Sequence, residues 1–352
     1  MTALKEILLE RIAIQGPLSV AEYMQECLLH PQHGYYATRD PLGVAGDFIT
    51  APEISQMFGE MIGLTLAQAW LDQGSPEVFV LAEAGPGRGT LMADILRATR
   101  AVPGFGAAVQ VHLIEASPVL RAKQREALGA DVTWHDEVDQ LPELPLFFVA
   151  NEFFDALPVR QFVRDGEAWR ERQVGAQDGV LVWGLGAAAA QPALAHRIED
   201  TKDGDLVEHC AAFAPTIATI STKIEAYGGA GLVIDYGDWR SLGDTLQAVR
   251  AHEAQDVLAT PGCADLTTHV DFEVLAQAAV CSHSRVTPQG VFLERLGITA
   301  RAETLAKSLS GEALGAHVAA HQRLTHPHEM GNLFKVLALF PSTAPCPAGC
   351  TT

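Results

Sequence analysis

No apolar run in the 352 residues approaches the roughly 18 needed to span a bilayer, so no transmembrane helix is expected. Basic residues are scarce: 24 Lys plus Arg stand against 43 Asp plus Glu, a formal net charge of −19. So acidic a surface repels phosphate backbones, and nucleic acid is not an expected partner. It tolerates a basic partner, such as an arginine-bearing protein segment. Cysteines are few and scattered, at Cys27, Cys210, Cys263, Cys281, Cys346 and Cys350. That usage fits a reducing, cytoplasmic compartment and gives no disulfide framework. Only Cys346 and Cys350 lie close together, in the Pro-rich segment PSTAPCPAGC, which reads as flexible and supplies no further metal ligands. The opening stretch MTALKEILLERIAIQG lacks both the apolar block of a signal peptide and the acid-free composition of a transit peptide. What is present is globular: 48% hydrophobic and 19% charged residues, enough for a core and for one large or two ordinary domains.

Helical spacing marks residues 1–30 as two helices broken at Gly16-Pro17, the second opened by the capping-box pair Ser19 and Glu22. Residues 30–53 are rich in Gly, Pro and aromatics and read as a long, functional loop. A helix follows over 54–72. From 77 onward, apolar runs alternate with helical stretches: VFVLAEAG (78–85), VQVHLIEAS (109–117), DVTWHDE (131–137), LFFVANEFF (146–154) and GLVIDYG (231–237). Such runs are the mark of an α/β fold whose parallel sheet is covered on both faces. Residues 159–183 alternate apolar and polar around turns at Asp165-Gly166 and Asp178-Gly179, predicting antiparallel hairpins. A helical portion is expected over about 192–226. The organisation predicted is 1–76 N-terminal helices and active-site loop, 77–156 first half of the sheet, 157–227 an inserted substrate subdomain, 228–340 second half of the sheet, and 341–352 a flexible tail.

The strongest local signal is VFVLAEAGPGRGTLMADIL. A strand ends at Glu83, the glycines Gly85, Gly87 and Gly89 allow a tight turn and close ligand approach, and a helix begins near Thr90. A dinucleotide fingerprint requires glycine where Thr90 stands, and no Gly-Lys-Ser/Thr of a P-loop follows. Glu115 at the next strand end can accept hydrogen bonds from ribose hydroxyls, and Asp136 ends the third strand, where an adenine amino group finds an acceptor. Alone, Glu115 also reads as a solvated acid at a strand end. Together, in order, they resemble the class I S-adenosylmethionine-dependent methyltransferases. That resemblance implies a Rossmann-like, seven-stranded, mostly parallel sheet with its last strand, LFKVLALF (333–340), antiparallel. It implies S-adenosyl-L-methionine as cofactor, held by Glu83, Gly85, Gly87, Gly89, Glu115, Asp136 and Asn151.

The fourth strand ends in Asn151-Glu152-Phe153-Phe154-Asp155. Glu152 and Asp155 either orient a guanidinium nucleophile or cap the helix that follows. GDFITAPEISQMFGE (46–60), HPQHGYY (30–36), NEFFDALPVRQF (151–162), LVIDYG (232–237), DLTTHVDF (265–272), QGVFLERLGI (289–298) and MGNLFKVLAL (330–339) together resemble the mitochondrial dysfunction protein A family, over about residues 15–340. The resemblance implies a protein-arginine methyltransferase that symmetrically dimethylates an arginine on the 49-kDa-type subunit of respiratory complex I, here the equivalent subunit in a bacterial cytoplasm. A cofactor-binding assembly chaperone without turnover and a small-molecule methyltransferase are the alternatives. Asp47, Phe48, Thr50 and Glu53 either close over the methyl donor or simply form a turn at Gly46-Asp47 and a helix start at Pro52-Glu53, while Asp235 and Tyr236 are expected to wall the substrate channel. His269 reads either as acceptor of the released proton or as structural. His317 and His321 share a helical face, but Val318 stands where the metalloprotease motif has Glu, so no metal is expected. The oligomeric state is left open.

Overall fold

A computed structural model describes residues 2–38 and 49–352, so Asp47 and Phe48 lie outside the described residues. The chain divides into two compact units. One contains the described residues of Met1–Phe48 with Asp155–Ala212 and Arg240–His269; the other contains Ile49–Phe154, Phe213–Trp239 and Val270–Thr352.

In the first unit, helix α1 (Ala3–Gln15) buries Leu4, Leu8 and Ile12, one residue per turn on a single stripe. It stops at Gly16, whose φ of 91° precedes Pro17. Helix α2 (Val20–Leu29) opens with the expected box: Ser19 accepts from the Glu22 amide while Glu22 reaches back to the Ser19 amide. Arg11 pairs with Glu22 and Glu26 and so joins the two helices. They pack on an antiparallel sheet of Arg160–Asp165, Ala168–Gln177, Val180–Ala189 and Leu206–His209. The turn at Asp178-Gly179 has both φ values positive, 51° and 74°, the geometry that suits a two-residue hairpin.

Several expected boundaries move. Residues 192–226 are not one helical portion: a 3-10 turn (Pro192–Arg197) and the strand Leu206–His209 come first. That strand is set by pairing with Arg160–Val163, a distant partner that local periodicity does not encode. Residues 1–76 are likewise split, the described residues up to 38 joining the first unit and 49–76 the second. Within 228–340, residues 240–269 leave the central sheet; Gln247–Arg250, Glu253–Gln255 and Asp265–Thr267 form a small antiparallel sheet in the first unit.

The second unit carries the predicted parallel sheet. Its strands are β1 (Phe79–Ala84), β2 (Val109–Ile114), β3 (Val132–His135), β4 (Leu146–Asn151), β5 (Gly229–Asp238), β6 (Ser282–His283) and β7 (Phe334–Phe340), in the order β6-β7-β5-β4-β1-β2-β3. Two short strands, Val270–Asp271 beside β5 and Thr287–Pro288 beside β7, complete nine. Strands β1 to β5 run parallel, while β7 is antiparallel to β5 as expected. Every residue of β1 and β4 is buried, because helices cover both faces. Helix α3 (Gln56–Asp72) supplies Phe58, Ile62, Leu66 and Trp70 to that core. Phe79, Phe105, Phe147 and Trp70 interlock there by tilted and edge-to-face contacts. Helices α4 (Thr90–Thr99), α5 (Pro118–Leu128) and α6 (Phe213–Tyr227) follow; α6 belongs here rather than to an insertion because Ile217, Ile220 and Ile224 are buried against this unit.

Residues 341–352, expected as a flexible tail, are packed. The Arg285 amide donates to the Thr351 carbonyl (2.7 Å), Arg295 donates to the Gly349 carbonyl (3.2 Å), and Cys350 lies against the main apolar core. Those backbone partners are absent from any local reading of a Pro-rich segment.

Candidate functional site

In the second unit the carboxyl ends of β1, β2, β3, β4 and β5 present Glu83, Glu115, Asp136, Asn151-Glu152 and Asp235-Tyr236. This is the edge at which ligands bind in open α/β sheets. The loop after β1 holds Gly85, Gly87 and Gly89 at φ values of 64°, 53° and 83°, conformations that glycine adopts without strain. At Gly85 a Cβ would lie 3.0 Å from the Phe153 ring, so a side chain there crowds the turn after β4.

Glu83 is buried at the foot of this loop, where it accepts a hydrogen bond from the Met92 amide in the first turn of α4. Burial, reinforced by the charge of Glu115, pushes its carboxyl up to about 8. A carboxyl raised in the folded state stabilises the fold fully below the ordinary carboxylate range, and that contribution is lost as pH rises through about 8. Wild-type stability is therefore expected to fall between about pH 5 and pH 8, by on the order of a few kcal/mol more than that of Glu83→Gln. Thermal melts of both proteins across that range check this, and parallel curves would contradict it.

Glu115 is almost fully buried and its carboxyl is also raised by burial, against the opposing hydrogen bonds from Ser117 and Gln124. The Ser117 amide donates to Oε1 (2.7 Å) and the Gln124 amide to Oε2 (3.1 Å). The Ala116 amide adds a further hydrogen bond, and together these donors orient the acid. Asp136 is 73% exposed in its side chain and pairs with Arg121 at 2.6 Å. Arg121 also donates to the carbonyls of Glu115 (2.6 Å) and His135 (3.1 Å), and so ties the ends of β2 and β3 together.

Asn151 donates its side-chain amide to Glu152 Oε1 (3.0 Å), and the Ala51 amide donates to that same oxygen (3.0 Å). Glu152 stands at a φ of 53°, a left-handed conformation costly for a non-glycine residue. Its capping bond goes to the short helix Ala51–Ile54, not to a helix after β4, where only the 3-10 turn Phe154–Ala156 follows. Among the described residues, two buried oxygens, Glu83 Oε2 and Asn151 Oδ1, have no hydrogen-bond partner. Unpartnered buried oxygens on adjacent strands, beside three left-handed glycines and an oriented acid, suit a polar ligand. This set fits the hydroxyls and ammonium of S-adenosyl-L-methionine.

The remaining expected residues are placed as follows. Thr50 precedes the helix Ala51–Ile54 without a side-chain capping bond. Glu53 is tied to the glycine loop: Thr90 donates to its Oε1 (2.5 Å), and Arg88 lies 3.9 Å from Oε2. Asp235 is fully buried, accepting from the Phe154 and Tyr236 amides, and Tyr236 packs edge-on to Phe334. Asp155 and His269 belong to the first unit. Asp155 is buried, its carbonyl accepts from the Thr268 amide (2.9 Å), and its charge acts on Tyr36, whose hydroxyl donates to Asp265 (2.7 Å). The His269 amide donates to Thr245 Oγ1 (2.8 Å). In the second unit, His317 meets the Ala302 carbonyl and His321 meets Thr299. Among the described residues no group of three or more His, Cys, Asp or Glu is arranged to hold a metal ion.

Sequence reasoning missed Gln124 and Arg121. Gln124 carried a signal: it lies on the same helical stripe as Leu120 and Leu128, where a polar residue calls for buried partners.

Comparison with known proteins identifies the family. A family of S-adenosyl-L-methionine-dependent methyltransferases matches residues 61–291. The mitochondrial protein arginine methyltransferase NDUFAF7 of Homo sapiens is 36% identical, covering 97% of this chain and 84% of that protein. Its Xenopus laevis counterpart is 34% identical over 96% of this chain and 84% of its own length. A crystal structure of a COG1565 superfamily member from Burkholderia thailandensis, bound to S-adenosyl-homocysteine, superposes with a TM-score of 0.83 at 30% identity, covering 99% of this chain and 94% of that one. The chain therefore belongs to the mitochondrial dysfunction protein A family of S-adenosyl-L-methionine-dependent methyltransferases.

Proposed function

We propose that this methyltransferase modifies protein arginine, and that its substrate is the 49-kDa-type subunit of respiratory complex I, symmetrically dimethylated in a bacterial cytoplasm. The observation that carries the reading is likeness to proteins named protein arginine methyltransferases along almost the whole chain. Among the described residues no helix is long and apolar enough to cross a membrane, and the net charge of −19 favours approach of a basic segment.

When bound, S-adenosyl-L-methionine supplies an electrophilic methyl group and a thioether leaving group that needs no protonation. Glu115 would hold the ribose hydroxyls, Asp136 would meet the adenine side, and the loop Gly85–Gly89 would approach the methionine portion, with Glu83 and Asn151 offering their buried oxygens. Glu152 would hold the substrate guanidinium by charge-assisted hydrogen bonds and orient the attacking nitrogen. The left-handed backbone at Glu152 and its bonds from Ala51 and Asn151 support this role, since they fix the carboxylate before substrate arrives.

Mass spectrometry of complex I subunits from cells with and without the gene tests the reading. A dimethylarginine present in the wild type and lost in the deletion is expected. An unchanged methylation profile together with failed complex assembly would overturn it in favour of a chaperone.

A further inference from the structure

We infer that Gln124 is a positioning residue of the cofactor site, one amide that sets the Gly87 peptide and the Glu115 carboxylate in their binding orientations together. The inference rests on reading Gly87 and Glu115 as cofactor contacts. Gln124 is fully buried on the inner face of α5, and all of its polar atoms are engaged. Its Nε2 donates to the Gly87 carbonyl (2.8 Å) and to Glu115 Oε2 (3.1 Å), while its Oε1 accepts from the Trp134 indole (2.8 Å).

The orientation of this amide is dictated by chemistry. An indole N–H can only donate, so the Gln124 atom facing Trp134 is the oxygen. The nitrogen then faces two acceptors, one on the glycine loop and one at the end of β2. Only a side chain with one acceptor and two donors at this reach satisfies all three partners. Trp134 is itself held, with the Arg125 guanidinium 4.5 Å from its ring centroid.

The consequence for the site is geometric. In a planar trans peptide the carbonyl and the following N–H point in opposite directions. Drawing the Gly87 carbonyl toward Gln124 turns the Arg88 amide to the other side of that peptide. The same nitrogen pins one oxygen of Glu115, whose other oxygen is pinned by Ser117. Loop and acid come from different strands, and Gln124 bonds to both.

Calorimetric titration of S-adenosyl-homocysteine into wild type, Gln124→Met, Gln124→Glu and Glu115→Ala tests this, with thermal melts to confirm folding. Gln124→Met keeps the volume and removes the hydrogen bonds; it is expected to weaken binding about 10- to 100-fold. Gln124→Glu keeps the shape and the acceptor for Trp134, but as a carboxylate it faces the Gly87 carbonyl and Glu115 with no donor. When protonated it regains one donor. Its affinity deficit relative to wild type is therefore expected to shrink as pH is lowered from 8 to 5.5, values set on the order of the carboxyl titration range. A merely structural defect gives a deficit that does not change with pH, and that outcome overturns the inference. Wild-type affinity in both Gln124 variants alongside weak binding by Glu115→Ala also overturns it, while leaving the cofactor site in place. Wild-type affinity in Glu115→Ala overturns the cofactor-site reading itself. Where Gln124→Met does not fold, the pH dependence of Gln124→Glu decides.

Discussion

Glu152→Gln is expected to lower methyl transfer about 10²- to 10³-fold while leaving S-adenosyl-homocysteine affinity and melting temperature near the wild-type values. Glutamine keeps the shape of the side chain and an acceptor oxygen for the Ala51 and Asn151 donors that hold Glu152 in place. It also tolerates the left-handed backbone no worse than glutamate does. Loss of the neighbouring capping bond would cost about 1 kcal/mol, and the amide retains most of it. What the substitution removes is the negative charge, and charge-assisted bonds to a guanidinium are about twice as strong as neutral ones. Turnover, cofactor affinity and melting temperature measured on one preparation separate the contributions. Transfer at the wild-type rate would remove Glu152 from the mechanism. A large fall in melting temperature with unchanged specific activity would assign it to the fold alone.

A second large effect is expected at the glycine loop. Gly87→Val should abolish S-adenosyl-homocysteine binding within the reach of calorimetry. The φ of 53° at Gly87 lies in the left-handed region, where a β-branched side chain costs about 1–3 kcal/mol. The chain relieves that strain by moving the peptide whose carbonyl Gln124 holds, so the loop loses the shape it offers a ligand. The protein should remain folded, because the sheet beneath is buried throughout β1 and β4. A folded Gly87→Val protein of unaltered affinity would place the cofactor elsewhere.

The features that single out Glu152 and Gly87 are readable before any coordinates because their signals are local. Glu152 follows a buried run that ends in an acidic, aromatic turn, and Gly87 sits in a strand-to-helix turn whose glycines are spaced two apart. The antiparallel last strand and the order of the ligand-facing strand ends also emerge from a linear reading, through likeness to methyltransferases. Other parts of the site were not legible. The Thr90 hydroxyl donates to Glu53, 37 residues away, and ties that residue to the loop. Glu152 does cap a helix, but not the one expected to follow it: its partner is the Ala51 amide, 101 residues earlier.

By itself the sequence determined the kind of sheet, the position of its glycine loop, the acids at its strand ends, the capping box at Ser19 and the hairpin turn at Asp178-Gly179. Each of these follows from side chains a few residues apart, through periodicity, φ preference or capping geometry. Only the tertiary structure decided which segments share a core. The described residues up to 38, 155–212 and 240–269 are drawn together by pairings such as Leu18 with Val174 and Arg160 with His209, which no local pattern records. It also decided the fate of buried polar groups. Gln124 looks like any polar residue in an amphipathic helix until its neighbours are known, because a buried amide is specified by its partners' donors and acceptors, and those partners lie on other strands.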